Sequence, residues 1–180
     1  MSIINNVLGL FLGNKYERDI KEITPFVDKV HLEFAKVQVL TNDQLRDKTF
    51  ELKREIREYI AVDEAEIKSL KDKADNEEDV DKKEGFYNDA DKIEKHIEDK
   101  LEKILDECVP RAFAIVKETA RRFKENATLE VTAQQYDRDL AATRESIVIN
   151  GEKAVWSNRR MAGGNEILWY MDHYDDHLIG

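Results

Sequence analysis

Two stretches of apolar residues at helical spacing, separated by a short acidic break, constrain the fold of this chain most. Residues three and four apart share one face of a helix, so each stretch forms a narrow apolar stripe. The stripes consist of Leu45, Leu52, Ile56, Tyr59, Ile60, Ile67, Leu70 and Ala74, then Phe86, Ala90, Ile93, Ile97, Leu101, Ile104 and Cys108. Two matched stripes on either side of the break at residues 75–79 predict a long antiparallel helical hairpin with a coiled-coil-like seam.

The composition favours a mainly α-helical protein with elongated parts. Charged residues make up 38% of the 180 positions, and only seven Gly and two Pro interrupt the chain. Long helices tolerate few of either residue. The formal net charge of −10 repels phosphate backbones, so we expect no nucleic acid among the partners.

The first residues predict a short amphipathic leader helix that ends near Gly13 and Asn14, a plausible C-cap pair. Its apolar stripe consists of Ile3, Ile4, Val7, Leu8 and Phe11. Two interpretations stay open: the stripe packs against the rest of the protein, or it docks to a membrane surface or a partner. Residues 1–14 contain no Lys or Arg that would attract anionic lipid.

Further elements follow from capping residues and turn signals. A helix is predicted from about Tyr16 to Val39, with Pro25 kinking it or marking a new first turn. Residues 41–44 (Thr-Asn-Asp-Gln) have the capping-box pattern, which starts the first hairpin helix. Another helix should start at Pro110. Residues 129–132 and 147–151 predict short strands, the second ending in an Asn-Gly turn, and Gly163 with Gly164 predicts a loop.

The lone Cys108 excludes an internal disulfide and fits a reducing compartment, where a buried inert thiol is expected. No stretch reaches the roughly 18 apolar residues that a membrane span needs, and the start lacks signal-peptide features. We therefore expect a cytoplasmic protein. His173 and His177, four residues apart among aspartates, could bind Zn²⁺, but a solvent-facing cluster is the interpretation we favour, with no metal site.

Three stretches in the first two thirds of the chain resemble the SecA family when taken in order. Residues 12–18 (Leu-Gly-Asn-Lys-Tyr-Glu-Arg), 40–49 (Leu-Thr-Asn-Asp-Gln-Leu-Arg-Asp-Lys-Thr) and 109–118 (Val-Pro-Arg-Ala-Phe-Ala-Ile-Val-Lys-Glu) are similar to the family's start, early helix and entry to the motor core. Residues 154–156 and 161–167, with the enlarged hairpin, resemble the longer form found in the Bacteroides group.

The last ten residues, Met-Asp-His-Tyr-Asp-Asp-His-Leu-Ile-Gly, resemble the family's Q-motif, in which a Gln amide contacts the adenine of ATP. The resemblance implies that Met171, Tyr174, Asp175 and His177 form this cofactor-binding segment. His177 stands at the Gln position and Asp176 at a Val position. A neutral imidazole has its donor and acceptor on opposite edges, so it cannot reproduce the bidentate contact.

The catalytic elements of phosphoryl transfer are not found in these 180 residues. No Gly-x-x-x-x-Gly-Lys-Ser/Thr stretch occurs, so the chain is expected to end before the Walker A loop and to lack Walker B. Without these groups we expect no catalytic residue and no ATPase activity from this polypeptide alone.

The resemblance implies three parts and a function for the parent protein. The parts are a leader helix (1–14), a helical arm with the long hairpin (15–108) and the start of a truncated α+β, helicase-like nucleotide-binding domain (109–180). The parent would use ATP with Mg²⁺ to move unfolded preproteins through the SecYEG channel, as a cytoplasmic protein peripheral at the inner membrane. SecYEG, preproteins, the anionic membrane surface and a second copy in a homodimer are the implied partners. The alternative is a non-catalytic helical interaction module.

Overall fold

The computed structural model describes residues 3–174, and side chains from residue 19 onward. Contacts divide the chain into two compact units, Met1–Leu45 with Phe113–Gly180 and Arg46–Ala112. Three long helices make the chain mainly helical: α1 (Ile3–Val37), α2 (Asn42–Asp75) and α3 (Val80–Glu125). The three-part division made from the sequence stays a prediction, because it concerns functional parts rather than contacts.

Helix α1 corrects two predicted boundaries. The leader helix does not end near Gly13 and Asn14, and no second helix starts near Tyr16, since one helix runs from Ile3 to Val37. Of the two alternatives for Pro25, the new first turn is excluded and the kink stays a prediction. A glycine inside a helix costs only about 1 kcal/mol relative to Ala, which neighbouring turns can offset. Ahead of Pro25, the Thr24 hydroxyl donates to the Ile20 carbonyl at 2.7 Å.

Helix α2 starts as the capping box predicted. The Gln44 N–H donates to the Thr41 hydroxyl at 3.2 Å, and the Thr41 N–H donates to the Gln44 carboxamide at 2.9 Å. These reciprocal bonds satisfy N–H groups that a helix start leaves without partners. The capping prediction is confirmed.

In the unit Arg46–Ala112, α2 and α3 lie side by side in opposite directions. Polar contacts join Glu55 to Arg111, Asp63 to Lys100, Lys71 to Glu94 and Asp75 to Tyr87. Residues later in α2 therefore contact residues earlier in α3, as in an antiparallel pair. Between the helices, the Asp79 carboxylate accepts the N–H groups of Asp81 and Lys82 at 3.0 and 3.2 Å, which caps α3. Ile60, Ala74, Ala90, Ile104 and Cys108 are buried in this unit, as predicted for the thiol.

Helix α3 corrects a third boundary, because it passes through Pro110 without a break. Proline removes one backbone hydrogen bond and costs about 3 kcal/mol inside a helix. Buried residues on both sides, among them Ile104, Cys108 and Ala114, give the helix packing that can outweigh this cost.

The unit formed by Met1–Leu45 and Phe113–Gly180 adds two small antiparallel sheets. Strands β1 (Thr128–Thr132), β2 (Ile147–Asn150) and β3 (Lys153–Ser157) form a sheet in the order β1-β3-β2, with α4 (Gln135–Ala141) between β1 and β2. Strands β4 (Arg159–Ala162) and β5 (Asn165–Leu168) form a separate hairpin. The predicted strands β1 and β2 are confirmed, whereas α4, β3, β4 and β5 were not predicted.

Helix α2 covers the outer edge of β1 with two side chains at its N-terminus. The Asn42 amide donates to the Glu130 carbonyl at 3.0 Å, and the Asp43 carboxylate accepts both the N–H and the hydroxyl of Thr132 at 2.8 Å. An edge strand otherwise presents unpaired backbone groups to other chains. The same first turn thus begins a helix and protects a sheet.

Candidate functional site

The candidate cofactor-binding segment follows β5 and has no regular secondary structure over residues 169–174. Met171 and Tyr174, two of its four predicted residues, are both more than half exposed. Asp175 and His177, the other two, lie outside the described residues. The structure therefore places an apolar and an aromatic side chain at the surface of this segment, without testing their role.

Asn158 anchors the start of this segment through three hydrogen bonds. Its backbone N–H donates to the Ala127 carbonyl at 2.9 Å and its side-chain amide donates to the Phe123 carbonyl at 3.1 Å. Its own carbonyl accepts the Trp169 N–H at 2.7 Å. One residue thereby fixes the segment to the C-terminal turn of α3.

The Trp169 ring lies against Phe123, with centroids 6.4 Å apart at 55°. Such tilted pairs stabilise beyond their buried area. Two polar atoms here, Trp169 Nε1 and Asn158 Oδ1, are buried and have no hydrogen-bond partner among the described residues. Each unpaired buried polar atom costs about 1–3 kcal/mol. The tilted ring pair and the backbone hydrogen bonds of Asn158 have to offset this cost.

An ion pair between Lys124 and Asp172 ties the middle of the segment to α3. Lys124 Nζ lies 2.9 Å from Asp172 Oδ2, and both side chains are partly exposed. The hydrogen bond from Lys124 holds the pKa of the Asp172 carboxyl below its usual 3.8. The same bond raises the pKa of Lys124 above its usual 10.5. The pair therefore favours the charged form of both groups.

These shifts predict the pH range over which the segment stays attached. The lowered pKa of Asp172 stabilises the contact above pH 3.8. This stabilisation is lost as the pH falls through the pKa that Asp172 has in the folded protein. The raised pKa of Lys124 stabilises the contact below pH 10.5. This stabilisation is lost as the pH rises through the pKa that Lys124 has in the folded protein. We expect the Trp169 indole N–H signal in NMR spectra to stay constant between these limits and to shift outside them.

Lys124→Gln is the matched control for this titration. It keeps a long side chain that can still donate a hydrogen bond but carries no charge. We expect the acid shift of the Trp169 signal to disappear in this variant. An unchanged acid shift would show that another carboxyl group causes it.

The predicted docking residues lie in the first turns of α1. Ile3, Ile4, Val7, Leu8 and Phe11 belong to the helix that starts at Ile3. Side chains of residues 3–18 lie outside the described part of the chain, so the docking role stays a prediction. Across residues 3–174, no helix is both long and apolar enough to span a bilayer.

The described residues do not converge on a metal site. No group of three His, Cys, Asp or Glu side chains is placed to hold a metal ion within residues 19–174. His173 is described, while its potential partner His177 is not. Buried charged side chains do occur, and Glu118, Arg122 and Asp137 are paired with neighbours rather than open to a ligand.

A family model described as "SecA DEAD-like domain" matches residues 8–148, which is more than half of the chain. The chain belongs to the SecA family. Individual SecA proteins also match nearly the full length of this chain. The protein translocase subunit SecA of Parabacteroides distasonis is 46% identical over 176 residues, covering 98% of this chain and 16% of that protein.

Other SecA relatives match a similar share of this chain. The subunit of Bacteroides fragilis is 47% identical over 98% of this chain, and that of Flavobacterium psychrophilum is 42% identical over 100%. In each case the chain spans about one sixth of the relative, since 16% of that protein is covered. No solved structure was found to match the chain.

Lys124 and Asn158 are the residues of this SecA-family segment that the sequence analysis missed. Lys124 lies 48 positions from Asp172, and Asn158 lies 11 positions before Trp169. Neither belongs to a motif or to a periodic pattern. Only the return of the chain to α3 after β5 brings them to the segment.

Proposed function

We propose that this chain is the amino-terminal part of a SecA-type motor, which couples ATP binding and hydrolysis to the transport of unfolded preproteins through the SecYEG channel. The observation that carries the proposal is the 46% identity to a protein translocase subunit SecA over 98% of the chain. The family model over residues 8–148 supports the same function. The motor would be cytoplasmic and peripheral at the inner membrane.

The chain supplies only the adenine side of nucleotide binding in this proposal. Met171 and Tyr174 are exposed apolar and aromatic groups suited to the face of a base. Lys124, which lies against the segment, is paired with Asp172. No phosphate loop occurs in the 180 residues, so the groups that hold ATP phosphates and Mg²⁺ would belong to the remainder of a SecA-type protein.

The leader part of α1 is proposed to dock to the membrane surface and the channel. Its five apolar residues recur at helical spacing, whereas residues 1–14 carry no Lys or Arg. Attachment would therefore depend on apolar burial more than on attraction to anionic lipid. A homodimer is a further arrangement that the family resemblance allows.

A chimera tests the motor function directly. The matching first 16% of the Parabacteroides distasonis subunit is replaced by this chain, and ATP-dependent transport of a preprotein into SecYEG vesicles is measured. We expect transport by the chimera, and no ATP turnover by the purified chain alone. A chimera that folds yet neither transports nor hydrolyses ATP would favour the helical interaction module instead.

The same chimera tests the docking residues. We expect Leu8→Ser with Phe11→Ser to lower co-sedimentation with vesicles several-fold, because two apolar side chains leave the stripe. Asn5→Ser with Asn6→Ser is the matched control on another side of the same helix and should leave binding unchanged. Equal binding of both variants would discard the docking role.

A further inference from the structure

An open groove runs along one side of α2 close to the end of that helix. Phe86 of α3 lines it together with seven residues of α2 and the turn that follows: Ala65, Lys68, Ser69, Asp72, Lys73, Asn76 and Glu77. Successive members of the seven are one or three positions apart, so they share one side of the helix. The Glu77 N–H donates to the Ala74 carbonyl at 3.2 Å, which continues the helical turn past the last residue of α2. We call this surface the α2 groove.

The α2 groove holds two positive and two negative side chains, which balance each other. Lys68, Asp72, Lys73 and Glu77 make no ion pair with any residue between 19 and 174. Each Lys stands four positions before one of the carboxylates, but a Lys that precedes its carboxylate gives the weaker ion pair on a helix. The four charges are therefore available to a facing surface.

The order of these charges is self-complementary when the same segment faces it in the opposite direction. In a two-fold dimer, residue i of one copy contacts residue j of the other, and residue j contacts residue i. With the two-fold axis between Asp72 and Lys73, these two residues face each other across the dimer, and Lys68 faces Glu77 of the second copy. Each contact between opposite charges then occurs twice.

The uncharged residues of the α2 groove suit the same arrangement. The register that pairs the charges also places the Ser69 hydroxyl against the Asn76 amide, a donor and an acceptor on each side. Ala65 and Ser69 are small, and the distance between packed helices depends on the size of the side chains in contact. Val62 lies three positions before Ala65 and is 76% exposed, so it adds apolar surface beside the groove.

The net charge of the chain does not exclude this pairing. A formal charge of −10 on each copy opposes association at long range. At physiological ionic strength, however, salt screens exposed charges that are more than about 8 Å apart, whereas ion pairs in contact are closer than this. The four groove charges add up to zero, so the facing surfaces themselves do not repel.

We infer that the α2 groove is a self-association surface, through which two copies of this chain pair in opposite directions. The inference concerns the α2–α3 pair alone and does not rest on the proposed function. A single helix side of a few turns buries little area, and its contacts are mostly polar. The dimer therefore belongs to the weak, concentration-dependent class of protein complexes.

Sedimentation velocity of the full chain over a range of concentrations tests the association. We expect Lys68→Glu to raise the dissociation constant at least tenfold, because two attractive contacts become repulsive. Lys95→Glu is the matched control: it changes the net charge equally at an exposed position of α3 that does not line the groove, and it should leave the dissociation constant unchanged. Equal weakening by both variants would mean that net charge alone governs association, and the inference would be wrong.

A mixture of two complementary variants tests the register. Glu77→Lys alone should weaken association as much as Lys68→Glu, because two basic residues then face each other. In the mixed dimer, the two acidic positions of one copy face the two basic positions of the other, so the equimolar mixture should recover the affinity of the unchanged chain. A variant that fails to fold cannot recover on mixing, and circular dichroism of each variant checks its helix content.

The remaining outcomes decide between this surface and other possibilities. A mixture that stays as weak as its components would reject the register, and a dimer that Lys68→Glu does not affect would use another surface. A chain that remains monomeric at its highest soluble concentration would also overturn the inference. These measurements need neither ATP nor SecYEG, so a chimera without transport would contradict the motor function and leave the self-association standing.

Discussion

Replacing Arg122 by Met is expected to lower the free energy of unfolding of the unit that contains it by about 3 kcal/mol. Arg122 is 9% exposed and Glu118 is fully buried. Arg122 Nε donates to Glu118 Oε1 at 2.6 Å. Removing one partner of a buried pair leaves the other charge without full compensation, which costs far more than breaking a surface ion pair.

Arg122 also holds the connection between α1 and α2. Its guanidinium donates to the Leu40 carbonyl at 2.7 Å, to the Val37 carbonyl at 3.3 Å and to Asn42 Oδ1 at 2.7 Å. The carbonyls at the end of a helix lack intrahelical partners and attract a cation. Loss of this side chain therefore removes a donor from Glu118, from the Leu40 carbonyl and from Asn42, and Asn42 in turn holds the edge of β1.

Glu118 remains charged in this network. Burial raises the pKa of its carboxyl, but the hydrogen bonds and positive charges of Arg121 and Arg122 together lower it more, so this pKa lies below its usual 4.5. Arg121 binds both carboxylate oxygens at 2.8 Å. Arg121 would still compensate part of the Glu118 charge in the Arg122→Met variant. We therefore expect a loss in the free energy of unfolding near the lower end of the range for a broken buried ion pair.

Urea denaturation followed by tryptophan fluorescence measures the effect of Arg122→Met. Both tryptophans, Trp156 and Trp169, belong to the same unit as Arg122. Arg159→Met is the matched control in the same unit, because Arg159 is 58% exposed and pairs with the equally exposed Glu166. Similar midpoints for the two variants would show that the buried network does not stabilise this unit.

Replacing Ile104 by Ala should destabilise the α2–α3 pair in Arg46–Ala112 by about 2–4 kcal/mol. Ile104 is 4% exposed and is one of the few large side chains buried there, where Ala74 and Ala90 fill other core positions. A narrow seam has few other contacts that could close around the lost methyl groups. The cavity therefore adds to the lost burial of apolar surface.

Leu105→Ala is the control for this change. It removes a similar volume from the adjacent position, but Leu105 is 44% exposed, so we expect a much smaller loss. Urea denaturation followed by circular dichroism at the helical band compares the two. Equal losses would mean that the stripe through Ile104 is not the core of the helix pair.

The sequence predicted the elements that depend on local patterns. Helical spacing predicted long helices before and after residues 75–79, and the capping residues Thr41 and Gln44 located the start of α2. Short runs that contain β-branched residues predicted β1 and β2. These features depend on neighbours within about four residues, and sequence reasoning handles such neighbours well.

The sequence misplaced the helix ends because its strongest end signals are also tolerated inside helices. Gly13 and Pro110 each lie within a continuous helix. Each costs about 1–3 kcal/mol locally. The packing of a long helix can outweigh such a cost, and the amount of packing is not visible in a local pattern.

The candidate site divides in the same way. Family motifs in the sequence predicted Met171 and Tyr174 as part of the segment, but nothing local indicates Lys124 or Asn158, which fix that segment to α3. The buried Glu118–Arg122 pair and its contacts to residues 37–42 likewise join positions about 80 apart.

By itself, the sequence determined the helical class, the capped start of α2 and the family, because these depend on short-range periodicity and on motifs. Only the tertiary structure decided which charges are buried together and which strand edge is covered. Those properties depend on contacts between residues far apart in the chain, whose free energies a local pattern does not contain.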